Sequence, residues 1–593
     1  MENLTDYLKD ILEDKFTKDE EVKLEKSKDN KDIFKVNYNG SFKYIGSKYN
    51  VERDIDNFLF EVGNIGIDTL IIVFGLGTGE HILKLFDKLN SFNRVLVVEP
   101  DRRILKKFFK LQYSKSLLKD DKIDIVGFEK ENIRSYIIEF ICDENNYNNI
   151  RYAAYGNYSI LYKIEYLYFL RSIKEVLLLF EGNLITKYVH GRSFMSCYLN
   201  NIKSIASSHY LNEFKDKFKD YTAVVVSAGP SLEKNIDELK NFNDNAIIIC
   251  GNRTLKPLME KGIIPDFMCS VDCSDAVYDM CKKYLNYGNI PLIFTETSNS
   301  KLVLNKRKGK IFFRYGSAKT SIQEVTGKNI DSLYSGGSVA HTCVDFARYI
   351  GCKVIIFIGQ DLAYTNDMEH AQIAEMQSYN KTISNENLIQ VDGLYGDKVL
   401  TTRVLNGYRD ALEEYIKRMK NIKFINATEG GALIKGVETI TLKEALDKYA
   451  VSQGIGKVVN DIFKKQPGID RIKVIDNMKN ILKGLMKIND EIKRCRENII
   501  SALLSNKISK MKYAYKKISV LNDELDNSSS FNFIDFLISD VMNRTSVYFR
   551  YQESKYEVEN LKNILNAFKK LYNDIIETID YVVPKIEKCI EDL

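Results

Sequence analysis

Between Tyr221 and Ala427 the chain repeats one device: a short, wholly apolar run, then a turn, then a helical pattern. The runs read "AVVVSA", "AIIICG", "DFMCSVD", "PLIFTET", "KIFFRYG", "KVIIFIG" and "IKFINA". A strand that is apolar at every position rather than at every second one is covered on both faces. With helices between the strands, a doubly wound, mostly parallel sheet is the economical arrangement. A second instance lies upstream, where "TLIIVFGLGTGEHILKLF" from Thr69 is strand, glycine turn and helix, followed by the strand "RVLVVEPD". The expected fold is α/β, with a Rossmann-like N-terminal domain, a central doubly wound parallel-sheet domain and a C-terminal all-α helical bundle. The expected boundaries are 1–205, 206–450 and 451–593, and the N-terminal domain includes a helical connector.

Around these sheets the signals are local. The first residues, "MENLTDYLKDILEDKF", have helical periodicity, and Asn39-Gly40 between two tyrosine-bearing runs predicts a hairpin with a type I′ turn. Beyond Thr441 strand patterning stops. Ile472, Ile475, Leu482, Leu485, Ile488 and Ile492 recur at three- and four-residue spacing, which is helical, and "DNSSS" at 526–530 reads as a loop.

Composition matters mainly for what it excludes. A net charge of +5 against 86 basic and 81 acidic side chains gives no clustered charge for nucleic acid. Ten cysteines contain no Cys-x-x-Cys, and five histidines are too few for a zinc site of ordinary spacing. Cys250, Cys343 and Cys352 lie unpaired in apolar runs, as in a reducing cytosol. The N-terminus lacks the basic and apolar regions of a secretory signal. The longest apolar runs fall far below the ~20 residues of a membrane span. A cytoplasmic protein without a membrane span is expected.

Three constellations can carry chemistry. "GLGTGE", with Glu99 about twenty residues on, has the spacing of a nucleotide or S-adenosylmethionine turn; a tight strand-to-helix turn without ligand explains it equally well. "VVVSAGPSLEKNI" (224–236) ends a strand at Gly229-Pro230, with Ser231 able to cap the next helix and turn its hydroxyl towards an anion. No Gly-Lys-Ser/Thr follows, so this is not a P-loop, and a single phosphate is the expected ligand. The third runs from Ser335 to Ala371: Ser-Gly-Gly-Ser opens a helix that returns to a strand ending in Gly-Gln-Asp-Leu-Ala-Tyr. Carboxyl ends of strands in an open parallel sheet face the ligand crevice, which predicts Asp361, Tyr364 and the loop of His370 there. His341 reads as a packed structural histidine, and His370, among acids, as the candidate general base.

"SAGPSLEKNIDELK", "IICGNRTLKPLMEKGIIPDFMCSVD", "SGGSVAHTCVDFARYIGCKVIIFIGQDLAY" and "NATEGGALIKGVETITLKEAL" together resemble the motility-associated factor (Maf) glycosyltransferases of flagellated bacteria. The four blocks span about 224–446. The resemblance implies transfer of a nonulosonic acid, pseudaminic or legionaminic acid, from its CMP-activated form to Ser or Thr of flagellin. It also implies a GT-A-like central domain similar to bacterial sialyltransferases. By the same resemblance Gly229, Ser231, Leu232, Asn252, Asp272, Ser335, Gly336, Gly337 and Ser338 would bind the donor. Asp361 and Tyr364 would lie at the edge of the donor site. The catalytic set is then Asp361, Tyr364 and His370, with His370, chosen from its own loop and not from the resemblance, or Asp361 as the base for attack with inversion. The sialyltransferase turn carries an Asn where this chain has Ala228. No cofactor and no metal is expected, although Asp266, Asp272 and Asp275 form an acidic stretch. The implied partners are the CMP-sugar and a flagellin monomer, for which the C-terminal helices are the expected dock. The competing readings are a 6-hydroxymethyl-dihydropterin pyrophosphokinase, a methyltransferase acting at the first glycine turn, and a non-catalytic flagellin-binding protein.

Overall fold

The computed structural model describes residues 21–593 except 67, 90–92, 112–113, 118–119, 131, 143, 243, 316–321, 365–367, 375–387, 468 and 550–555. The helix expected at the extreme N-terminus lies outside these residues. By their contacts the residues group into two units. One is Met1–Val189, Ile492–Leu521 and Ile538–Ile575; the other is His190–Glu491, Asn522–Leu537 and Ile576–Leu593.

In the first unit β1 (Val22–Lys26), β2 (Asp32–Tyr38) and β3 (Ser41–Tyr44) form an antiparallel sheet. Tyr38 pairs with Ser41, and Asn39 and Gly40 both take positive φ (51° and 80°), as a type I′ turn requires. Helix α1 (Val51–Val62) follows, capped by the Asn50 side chain on the Arg53 N–H. Then β4 (Leu70–Phe74), α2 (Glu80–Phe86), β5 (Arg94–Glu99), α3 (Arg102–Phe109), β6 (Ile123–Gly127), α4 (Ile133–Ile141) and β7 (Ile150–Ala154) build a parallel sheet of order β6-β5-β4-β7. Every residue of β4 is buried. The long helix α5 (Lys163–Ala206) leaves this sheet.

The second unit holds a nine-stranded, entirely parallel sheet. Its strands are β8 (His209–Tyr210), β9 (Thr222–Val226), β10 (Ile247–Gly251), β11 (Phe267–Ser270), β12 (Leu292–Phe294), β13 (Lys310–Phe312), β16 (Val354–Ile358), β19 (Lys423–Asn426) and β20 (Glu438–Thr439). The order is β20-β19-β16-β9-β10-β11-β12-β13-β8. The chain moves outward from β9 through β10 to β13, then returns to lay β16 on the other flank of β9. The gap between β9 and β16 is therefore the topological switch point, where open α/β sheets bind ligands. Between these strands run α6 (Asn252–Glu260), α7 (Asp275–Cys281), α8 (Val339–Tyr349) and α9 (Arg403–Arg418). Two short additions, β14 (Arg314–Tyr315) with β15 (Ser332–Leu333) and the hairpin β17 (Leu388–Asp392) with β18 (Lys398–Thr402), lie outside the main sheet. The helix Ile455–Phe463, beyond residue 450, packs Ile455 and Ile462 into the core of this sheet.

The C-terminal residues form α10 (Arg471–Ser505), α11 (Ile508–Asp526), α12 (Asp535–Ser546) and α13 (Glu557–Asp592). The chain is thus mixed α/β with parallel sheets and a helical C-terminal region. On α10 the buried stripe is Val474, Met478, Ile481, Leu485, Ile488 and Ile492, whereas Ile472 is 72% exposed, so the expected face is rotated by part of a turn. All ten cysteines are free. Among the described residues no helix is long and apolar enough to cross a membrane.

Candidate functional site

The two glycine turns have different fates. In the first unit the turn lies at the switch point between β4 and β7, and Tyr158 fills it. A Cβ on Gly75 (φ 102°) would fall 2.3 Å from the Tyr158 ring. The Tyr158 hydroxyl accepts the Gly77 N–H at 2.9 Å and donates to Glu99 Oε2 at 2.5 Å. Glu99 also accepts the Leu76 and Asp101 N–H groups. The acid expected to hold ribose hydroxyls thus holds a phenol of its own chain, which takes away the space that a methyltransferase reading needs. His81, stacked on Tyr155 at 3.7 Å, is buried, and burial pushes its pKa down to about 3.

Burial pushes the Glu99 carboxyl up to about 8, against the pull of its hydrogen bonds. A carboxyl whose folded pKa exceeds its unfolded value binds more protons when folded. Its stabilisation is therefore complete below the unfolded pKa and lost as pH rises through about 8. Below pH 6.5 the lowered pKa values of His81 and His370 act in the opposite sense, so urea unfolding of the wild type is expected to show stability falling from pH 6.5 to pH 8.5, and Glu99→Gln to flatten that slope.

In the second unit the switch point is tightly organised by the chain's own hydrogen bonds. Ser231 makes no helix cap. Its Oγ donates to Asp361 Oδ1 at 2.6 Å and its N–H to Oδ2 at 3.1 Å. The anion awaited by the Gly-Pro-Ser turn is the carboxylate of Asp361, which is 1% exposed. This corrects two expectations. The Gly229–Ser231 turn is not a vacant phosphate cradle, and Asp361 positions the turn rather than facing the acceptor as a base. Glycine is required here, since a Cβ at Gly229 would lie 2.2 Å from Asp361 Oδ1. Leu362, directly after the aspartate, takes φ 52°, a strained value for leucine. The "NATEGG" loop closes the far side: the Ala432 N–H donates to the Asp361 carbonyl at 2.7 Å. Leu232 is fully buried, a core residue beneath the turn.

Beside this keystone two helix N-termini converge, because a Cβ on Gly251 would sit 3.0 Å from Val339. Asn252 opens α6. It is 8% exposed, its Nδ2 donates to Ser270 Oγ at 3.2 Å, and its Oδ1 has no partner among the described residues. Ser335, Gly336, Gly337 and Ser338 open α8. The two glycines are left-handed (φ 47° and 84°), and Ser338 Oγ accepts the Ala340 N–H. Gly337 abuts the Tyr408 ring on α9.

Over the same turn lies His370, half-buried, its imidazole hydrogen-bonded to the Ala228 backbone, and the Ala371 N–H donates to the Ala228 carbonyl at 2.9 Å. Burial first, and the Arg253 guanidinium second, push the His370 pKa down to about 4, with Glu369 opposing. Glu369 Oε1 stands 3.8 Å from His370 Nε2, and Tyr364 hydrogen-bonds the same carboxylate at 3.4 Å. The site therefore gathers Asn252, Arg253, Ser335–Ser338, Tyr364, Glu369, His370 and Tyr408. Arg253, Glu369 and Tyr408 are additions to the sequence-derived set. Arg253 was legible beside Asn252 in "GNRTL"; Tyr408 was not, for it sits in an ordinary amphipathic helix.

The acidic stretch does not act together. Asp266 lies at the opposite end of β11 from Asp272 and accepts the Ile248 N–H, with burial pushing its pKa up to about 7. Asp272 is exposed at the strand's carboxyl end and binds the Ser274 N–H of its own loop. Asp275 is held by Lys301 and Asn299. His341 is buried, with Nε2 3.0 Å from the Tyr408 carbonyl, in keeping with a packing role.

With this geometry in hand, the comparisons fall into two groups. Residues 196–367 match the family described as 6-hydroxymethylpterin diphosphokinase MptE-like. Over 233 residues the chain is 24% identical to the 6-hydroxymethyl-7,8-dihydropterin pyrophosphokinase of Methanocaldococcus jannaschii, covering 38% of this chain and 87% of that one. Along its whole length the fold is similar to a Maf glycosyltransferase from Magnetospirillum magneticum. The TM-score there is 0.60 at 15% identity, over 100% of this chain and 97% of that chain.

Proposed function

We propose that this chain is a glycosyltransferase that moves a nonulosonic acid, pseudaminic or legionaminic acid, from its CMP-activated form to Ser or Thr hydroxyls of flagellin. The observation that carries this reading is the buried, unpartnered Asn252 Oδ1, placed where two helix N-termini, Arg253 and a neutral histidine meet. An acceptor oxygen of this kind suits the amino or hydroxyl groups of a nucleoside. Helix N-termini and one guanidinium suit a single phosphate. A fold shared end to end with a Maf glycosyltransferase, and the four motif blocks, add support.

In this reading the bond between the sugar's anomeric carbon and the phosphate oxygen breaks as the acceptor hydroxyl attacks the opposite face. CMP leaves with the bonding electrons. Arg253 and the N–H groups of α6 and α8 stabilise the charge growing on its phosphate. His370, neutral at pH 7, takes the acceptor proton, and Tyr364 and Glu369 hold the base in place. The donor phosphate also arms the base: by neutralising Arg253 it removes one of the two causes that depress the His370 pKa. A base must be deprotonated to act, so activity falls as pH drops through its pKa. The acid limb of kcat/KM, which reports free enzyme, is expected near pH 4, and that of kcat, with donor bound, at higher pH. Coincident limbs would remove His370 from this role.

The experiment is the intact mass of flagellin co-expressed with this chain and a pathway making CMP-pseudaminic or CMP-legionaminic acid. Addition in steps of one nonulosonic acid is the expected result. No addition with either donor, given folded protein and confirmed donor synthesis, would favour a second reading. That reading is a pterin pyrophosphokinase, motivated by the match over residues 196–367. It would be assayed as AMP released from ATP in the presence of 6-hydroxymethyl-7,8-dihydropterin.

A further inference from the structure

Helix α5 is apolar on two opposite faces, and among the described residues only one is covered. Phe169, Ile173, Val176 and Phe180 belong to the core of the first unit, and Leu184 on the same side is buried. On the other side Ile164, Leu167, Leu178, Ile185 and Tyr188 are between 50 and 81% exposed. An exposed apolar stripe on an otherwise packed helix marks an interaction surface. Arg171, Lys174 and Glu181, also exposed, complete this face. From Ile164 to Tyr188 the eight positions advance by alternating steps of three and four residues, a coiled-coil seam about 36 Å long at 1.5 Å per residue.

The seam is complementary to itself. Laid antiparallel on a second copy, with the two-fold axis level with Val176, it sets Ile164 opposite Tyr188, Leu167 opposite Ile185, Arg171 opposite Glu181 and Lys174 opposite Leu178. Each pair occurs twice. Every layer joins one of the two alternating seam positions to the other, as antiparallel helix pairs do. All the apolar residues meet apolar residues or the aliphatic stem of lysine, and the acid meets the guanidinium. In the isolated chain Arg171 bonds Glu175 at 2.7 Å on an exposed surface, a contact worth little and easily exchanged. Gly182, beside the seam with nothing within 4 Å of its Cβ position, leaves room for close approach.

We infer that the chain forms a two-fold symmetric dimer through this face of α5, with Arg171 and Glu181 setting the register. Such an isologous contact is the commonest way a soluble chain assembles. The register distinguishes this partner from any other helix, because an unrelated amphipathic segment has no reason to match Arg171 and Glu181 about one axis.

Analytical ultracentrifugation of the full chain across the micromolar range is the test. The wild type is expected to sediment as a dimer. Arg171→Glu and Glu181→Arg, each placing two like-charge pairs in the seam, are expected to weaken association at least about tenfold, and the double exchange R171E/E181R to restore it. Leu178→Glu should dissociate the dimer without rescue by either charge change. All these positions are exposed, so the circular dichroism of each variant should match the wild type. A monomeric wild type overturns the proposal, including one that captures a helix of another protein on this face. A double exchange as weak as either single change overturns it equally.

Discussion

Asp361→Ala is expected to lower transfer to flagellin by at least about 10³-fold and to destabilise the second unit, the largest effect of any single change at the site. The carboxylate accepts both the Ser231 N–H and the Ser231 hydroxyl, and all three groups are buried. Removing it leaves two buried donors unpaired, at a cost of about 1–3 kcal/mol each. The turn keeps its backbone ties to β16, from the Ser227 and Gly229 N–H groups, but loses its side-chain anchor just beyond the Ala228 carbonyl that holds the His370 loop. Asp361→Asn separates the two effects. Its amide keeps one acceptor oxygen but points N–H groups at a donor, so stability should fall by less while activity still collapses. Paired transfer assays and denaturant melts measure both. If Asp361→Ala folds normally and transfers at more than a tenth of the wild-type rate, the keystone role is wrong.

Asn252→Ala is expected to behave in the opposite sense, with kcat/KM down ~10²–10³-fold and the fold intact. The side-chain hydrogen bond described for it, to Ser270 Oγ, is long at 3.2 Å, so losing it should cost about 1 kcal/mol or less. Asn252→Asp sharpens the test. The variant keeps an acceptor oxygen and puts negative charge at the first position of α6, where it stabilises the helix dipole by about 0.3–1 kcal/mol. The same charge repels a phosphate. Burial of the new charge opposes that gain, so a protein that still folds but is inactive, with CMP affinity lost by calorimetry, is the predicted outcome. Retained CMP affinity in both variants would place the nucleotide elsewhere.

Much of the frame was legible because parallel strands covered on both faces read as unbroken apolar runs. The strands of the main sheet from β9 to β13, with β16 and β19, were visible this way. So was the Asn39-Gly40 turn, where two positive φ values have almost no other sequence solution. The strands that escaped are polar or short. "IRYAA" of β7 carries an arginine, and the hairpin β17–β18 is half exposed and fits no buried pattern. At the site, the residue types were legible and their pairings were not. Ser231 and Asp361 are 130 residues apart, and nothing local says that the turn's anion is supplied by its own chain. Glu369 stands beside His370 in the sequence, but Tyr408 arrives through tertiary packing. On α10 Leu485, Ile488 and Ile492 are buried as expected, but Ile472 is not, because both it and Val474 fit a helical period and only the neighbours decide which is covered.

The Tyr158 hydroxyl in the first glycine turn has a thermodynamic consequence. A nucleotide turn that closes on a diffusible ligand is stabilised by an amount that follows the logarithm of that ligand's concentration. Here the ligand is tethered, so its effective concentration is fixed by chain geometry. The turn keeps its occupied shape whether metabolites are abundant or scarce. The stability of this glycine turn is set by a residue of the chain itself.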